Sequence, residues 1–186
     1  YQHYDVQPDI VTMAKGVASG YAPISCTVTT EDVFQQFVAD PADRMAYFRD
    51  VSTFGGCASG PAAALENIRI IEDEDLLSNI VAMGDYLMNR LLELQRRHAL
   101  IGDVRGKGLF AGLELVSDRV TKEPVPESVV AGIAADCMGQ GVIIGRTNRS
   151  FQKLNNTIAL SPAFIVSQQE IDVIVDVLDA ALSKAA

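Results

Sequence analysis

Short runs of β-branched and apolar residues alternate with stretches of helical periodicity along the whole chain. That alternation confines it to an α/β class of architecture. "PDIVTMAKG" (8–16) carries Ile10, Val11 and Met13 in a run whose continuity predicts a strand buried on both faces. "ISCTVTT" (24–30) alternates loosely and predicts a second strand. Thr30 before Glu31 and Asp32 reads as an N-cap with an acidic first turn, opening a short helix through Phe37 that "ADPADR" breaks. The glycine-containing segment from Arg49 to Gly60 reads as a loop, and Pro61 opens the helix "PAAALENIRII".

A longer helix is expected from about Leu76 to Arg97, with Ile80, Met83, Leu87, Leu91 and Leu94 forming one apolar stripe. "IGDVRGKGLFAGLELV" (101–116) reads as a single glycine-containing strand, with Leu109, Ala111, Leu113 and Leu115 on one face. A helix from about Ser128 to Met138, strands "GVIIG" and "TIALSP" and a final helix complete the chain. Ser167 and Glu170 predict a capping box for that last helix, which turns Ile171, Ile174, Val175 and Leu178 inward. Residues 1–97 therefore read as part of one α/β layer with a connecting helix, and 98–186 as a compact α+β unit.

Composition narrows the function. A chain of 186 residues that is 48% hydrophobic and 21% charged builds a substantial core, and its net charge of −9 disfavours nucleic acid or an anionic membrane as partner. Cys26, Cys57 and Cys137 are few, odd in number and widely spaced, which suggests reduced thiols in a cytoplasmic protein and no metal spacing. His3 and His98 are isolated and read as surface residues. The chain starts at Tyr1 and runs almost at once into a buried-looking strand, so it reads as a portion of a longer polypeptide.

Lys15 is the residue that composition does not explain. It follows an apolar run at the point where a strand emerges, and Gly16 after it lets the backbone turn. Taken alone it is a solvated lysine at a strand end. The order of motifs changes that reading: "PDIVTMAKG", "SGYAPIS", "STFGG" before an alanine-rich helix, "VRGKGL" and "GVIIGR". Together they resemble the class III aminotransferases, pyridoxal-phosphate enzymes of fold type I. Within that class, "GVIIGRTNRS" and "NNTIALSP" resemble the taurine–pyruvate and ω-amine–pyruvate group.

The resemblance implies an α/β fold in which 1–97 is the end of the large cofactor-binding domain and 98–186 the small domain. It implies transfer of an amino group from a primary amine or ω-amino acid to pyruvate or a similar keto acid. Lys15 would carry pyridoxal 5'-phosphate as a Schiff base and then shuttle a proton. That chemistry needs an amine partly unprotonated near neutral pH, as in a dry crevice beside cationic groups. Thr53, with Phe54 in the same loop, would bind the cofactor phosphate of the other subunit of a homodimer; read alone, Thr53 is a loop threonine capping the next helix. Arg146 would pair with the carboxylate of the keto acid through its planar fork, although it is otherwise a solvated arginine and Arg149 lies near. Arg105 reads as structural, and Ser19 and Tyr21 adjoin Lys15 without an assigned role.

The sequence departs from the family pattern at Cys57 and Ala58, where many relatives carry Asn or His and then Pro, which puts substrate contacts from this loop in doubt. The family's carboxylate for the pyridine nitrogen, its ring-stacking aromatic residue and its glycine-rich phosphate loop would all precede this chain. These 186 residues by themselves are therefore not expected to transaminate. An aminomutase or epimerase of the same fold, and a non-catalytic dimerisation remnant, remain open on the sequence.

Overall fold

The computed structural model describes residues 1–186 except 39, 41, 44, 46, 47, 49–51, 152 and 186. The expected loop beginning at Arg49 and the helix-breaking "ADPADR" therefore lie partly outside the described residues. Contacts divide the chain into Tyr1–Glu74 and Asp75–Ala186.

In the first unit, β1 (Ile10–Ala14) and β2 (Ser25–Thr29) form an antiparallel ribbon in register from Ile10 opposite Thr29 to Ala14 opposite Ser25. The expectation that β1 is buried on both faces fails: Ile10 is 54% and Met13 41% exposed. Two strands alone have no interior, so apolar side chains on this ribbon stay at the surface of the unit. Helix α1 (Glu31–Gln35) stops short of Phe37, and Thr30 occupies its N-cap position without a side-chain hydrogen bond. Helix α2 (Ser59–Asp73) presents a stripe of small residues, with Gly60 and Ala64 buried. At Gly60 an added Cβ would meet the Pro23 carbonyl oxygen at 3.2 Å, so glycine permits the close approach of helix and chain.

The second unit begins with α3 (Leu76–Arg97), the helix whose bounds the apolar stripe marked. The units part between Glu74 and Asp75, so that α3, read in the sequence as a connecting helix, packs with the second. The physical reason is packing: Leu87, Leu91 and Leu94 lie in the core of the second unit with Leu113, Ile158 and Leu178. Each fully buried aliphatic side chain of this kind stabilises by roughly 1.5–3 kcal/mol.

The expected single strand over 101–116 is a hairpin of β3 (Ile101–Lys107) and β4 (Phe110–Leu115), turning at Gly108 with φ +54°. Leu109, Ala111, Leu113 and Leu115 are all buried, as their spacing required. Helix α4 (Glu127–Gly139) leads to β5, which spans only Gly145–Arg146 rather than all of "GVIIG". The start of that run closes the helix instead, through Gly141 N–H to the Met138 carbonyl and Val142 N–H to the Cys137 carbonyl, both at 3.0 Å. Strand β6 (Thr157–Leu160) completes an antiparallel sheet in the order β3-β4-β6-β5.

The last helix, α5 (Gln168–Ala185), has the expected capping box: Ser167 N–H and Oγ each donate to Glu170 at 2.8 Å, and Glu170 N–H donates to Ser167 Oγ at 3.3 Å. His98 departs from expectation. Its side chain is only 10% exposed and its Nε2 lies 2.5 Å from Asp179 on α5, because α5 packs across the end of α3. Burial pushes the Asp179 carboxyl up, but hydrogen bonds from His98 and Arg97 hold it below its ordinary value.

Helix α3 also meets the Gly108 turn closely. A Cβ on Gly84 would lie 2.6 Å from the Gly108 Cα and carbonyl carbon, a contact with backbone that cannot swing away. Gly84→Ala should therefore destabilise the second unit by about 1–3 kcal/mol or more, despite alanine's better helix propensity. Urea unfolding checks this, and an unchanged midpoint would show that the turn yields.

Candidate active site

Lys15 sits where β1 ends. Ala14 is fully extended at φ −156°, ψ −177°, and Lys15 then turns to φ 55°, a left-handed conformation uncommon for a residue with a side chain. One 3-10 turn, Lys15–Ala18, follows and closes on a second left-handed residue, Ser19 at φ 50°. Lys15 N–H donates to the Ile24 carbonyl at 3.4 Å, and Ser19 N–H to the Gly16 carbonyl at 3.0 Å. Ala18, 1% exposed, anchors the turn against α2. Strain of this type persists only where the surroundings fix it, and it concentrates at functional positions.

The Lys15 side chain is exposed, and among the described residues its amine has no hydrogen bond or ion pair. The described residues of the first unit therefore do not build the dry crevice expected around it. Tyr21 is 89% exposed beyond the turn.

Thr53 and Phe54 lie in the turn that precedes α2. Thr53 does not cap that helix, whose N-cap is Ala58 with no side-chain hydrogen bond. Gly55 N–H donates to the Ser52 carbonyl at 3.0 Å and Cys57 N–H to the Phe54 carbonyl at 3.3 Å. Among the described residues, the amides of Thr53, Phe54 and Gly56 and the Thr53 hydroxyl have no partner. A cavity of about 750 Å³ runs between β2 and α2, with Ser52, Phe54, Gly55 and Gly56 in its wall. Lys15 and Thr53 are not in that wall, and no hydrogen bond joins them among the described residues.

In the second unit, Arg146 lies on β5, and its Nη1 donates to Glu127 Oε1 at 2.8 Å. Asn155 Nδ2 donates to the other oxygen, Glu127 Oε2, at 3.1 Å. The Arg146 hydrogen bond, followed by that of Asn155, holds the Glu127 carboxyl below its ordinary value. Arg146 is therefore already paired, a fact its sequence setting did not reveal; Arg149 has no partner among the described residues. Arg105 bridges Asp103 at 2.7 Å and Glu114 at 2.8 Å, consistent with a structural role across β3 and β4.

These residues fit pyridoxal phosphate. Among the described residues, Lys15 offers an amine with no competing counter-ion, and the 53–56 loop offers a hydroxyl and three amides with no protein acceptor. Such a loop suits a phosphate dianion, and a free amine suits an aldehyde.

Together the fold and these two elements define a class of protein. The family model described as "Aminotransferase class-III" matches residues 1–182, and the chain belongs to that family. The taurine–pyruvate aminotransferase of Bilophila wadsworthia (strain 3_1_6) is 63% identical over 183 residues, covering 98% of this chain and 40% of the relative. The hypotaurine/taurine–pyruvate aminotransferase of Paracoccus denitrificans (strain Pd 1222) is 61% identical over 184 residues, covering 99% and 40%. The chain thus spans about 40% of the length of these curated relatives.

Among solved structures, a Bacillus anthracis aminotransferase matches with a TM-score of 0.93 at 39% identity, over 98% of this chain and 40% of that one. An amine transaminase from an uncultivated Pseudomonas species, solved in its PLP-bound form, matches with a TM-score of 0.83 at 30% identity, over 100% and 40%. The fold is therefore the α/β fold of the PLP-dependent transaminases, fold type I. Among the described residues no helix is long and apolar enough to cross a membrane, and no cluster could hold a metal ion.

Proposed function

We propose that the protein containing this chain is an aminotransferase that moves the amino group of a small ω-amino acid or primary amine to pyruvate, with pyridoxal phosphate as cofactor. The identity of 61–63% to taurine–pyruvate and hypotaurine/taurine–pyruvate enzymes supports an amino-sulfonate as the donor class. In the balanced reaction the donor's amine-bearing carbon becomes a carbonyl and pyruvate becomes alanine, in two half-reactions. The observation that carries the reading is the unpartnered Lys15 amine on a left-handed turn in a chain of this family.

When bound, the cofactor supplies an aldehyde for the amine and an electron sink for the carbon that loses its proton. Lys15 Nζ would hold the cofactor through its aldehyde carbon and, once freed by an amine substrate, would serve as the base that carries the substrate carbon's proton. Thr53 Oγ1 and the amides of Thr53, Phe54 and Gly56 bind the phosphate of the partner subunit's cofactor, so that a homodimer shares each site. Arg146 leaves Glu127 to bind the keto-acid carboxylate. Residues 1–97 would close the large domain, with α3 as the connecting helix that packs onto the core of the small domain, 98–186. The free thiols of Cys26, Cys57 and Cys137 suit a cytoplasmic setting.

The complete holoenzyme, given taurine and pyruvate, should form alanine; no alanine from any ω-amino donor would refute the reading. Arg146→Ala sharpens the test. It should slow the half-reaction with pyruvate by about thirtyfold or more, roughly 2 kcal/mol, and leave that with an amine lacking a carboxylate nearly unchanged. Equal slowing of both halves would make Arg146 structural, as its pairing with Glu127 alone would have it.

A further inference from the structure

We propose that Asn67 is a positioning residue for Lys15, holding the turn from which the lysine side chain projects. Its side-chain amide donates to the Gly16 carbonyl at 3.2 Å and to the Val17 carbonyl at 3.0 Å, reaching 51 and 50 residues back along the chain. Those are the two carbonyls immediately after Lys15. The proposal rests on the reading of Lys15 as the residue that bears the cofactor.

Helix α2 turns one stripe toward the Lys15–Ala18 turn. Gly60 and Ala64 are buried on it, Asn67 is half-buried three residues further on, and Ile71 is half-buried beyond. Every other member of the stripe is apolar or glycine, so a packing role alone would put an apolar residue at 67. A side-chain amide there has two protons to place, and the turn supplies two acceptors. Lys15 and Ser19, both left-handed without being glycine, bracket the turn. A conformation of that type needs something outside the turn to hold it. Ser19 N–H to Gly16 and Tyr21 N–H to Ala18, both at 3.0 Å, tie the turn to itself, and Lys15 N–H to Ile24 at 3.4 Å ties only its first residue to the chain before β2. Asn67 supplies the polar tie to α2, and it fixes the peptide planes that follow Gly16 and Val17, so the turn onto which Lys15 leads is held in place.

Two variants test this in the complete protein. Asn67→Ala removes the donors with a residue that favours the helix, and Asn67→Asp keeps the shape but sets a carboxylate against two carbonyl oxygens. In the cofactor-free protein, hydrogen exchange at the Ser19 amide should speed up by about tenfold or more in both variants, while amides of β4 in the second unit stay unchanged. In the holoenzyme, kcat should fall on the order of ten- to a hundredfold with a smaller change in KM, as expected when a reacting group is displaced. The pH midpoint of the cofactor's visible absorption band should also move. Unchanged Ser19 exchange together with an unmoved midpoint would overturn the proposal, as would a loss of kcat matched by equal acceleration of exchange throughout the first unit. Failure of the underlying reading looks different: Lys15→Ala would then retain turnover, whatever Asn67 does to the turn.

Discussion

Lys15→Ala in the complete holoenzyme should lower turnover by about 10⁴-fold or more, since the substitution removes both the nucleophile and the proton shuttle. The fold should not suffer in proportion. The Lys15 side chain is exposed and, among the described residues, makes no hydrogen bond or ion pair, so thermal unfolding should change by no more than about 0.5 kcal/mol. A variant that keeps a tenth of wild-type turnover, or one that loses turnover only because it unfolds, would count against the assignment.

A mixed dimer tests whether the "STFGG" loop serves its own site or its partner's. Consider one Lys15→Ala subunit paired with one Thr53→Val subunit. If Thr53 binds the phosphate of the partner's cofactor, one site collects both lesions and the other collects neither. Two-fold symmetry then leaves about half the wild-type activity per dimer. If each subunit builds its site alone, both sites are damaged, and activity should not exceed the per-site level of the Thr53→Val homodimer.

Some of this was legible in the sequence because periodicity and chemistry agreed. The stripe of Leu87, Leu91 and Leu94 marked α3, and Ser167 with Glu170 marked the start of α5, because each is a local pattern that tertiary packing had no reason to override. Where packing decides, the pattern was silent. The alternation from Leu109 to Leu115 is the same whether 101–116 is one strand or a hairpin, and only the left-handed Gly108 tells them apart. His98 looked solitary because its partner, Asp179, lies 81 residues away on another helix. Ile10 and Met13 promised a buried strand, but burial depends on neighbours, and a two-stranded ribbon has few.

The site divides in the same way. Lys15 stands out in the sequence because a lysine after an apolar run is locally anomalous and stands in a recognisable motif. Asn67 carries a fainter signal, a polar residue inside the stripe Gly60, Ala64, Ile71, which by itself does not set it apart from other residues of a helix-forming segment. Glu127 gave no signal, since its pairing with Arg146 spans 19 residues and depends on how α4 meets β5.

The central claim is that Lys15 is the residue that binds the cofactor, and borohydride reduction of the complete holoenzyme tests it most directly. Mass spectrometry of the digested, reduced protein should place the pyridoxyl group on the peptide containing "MAKG", at Lys15, in near-stoichiometric yield. Label on Lys107, Lys153 or another lysine, with Lys15 unmodified, would contradict it.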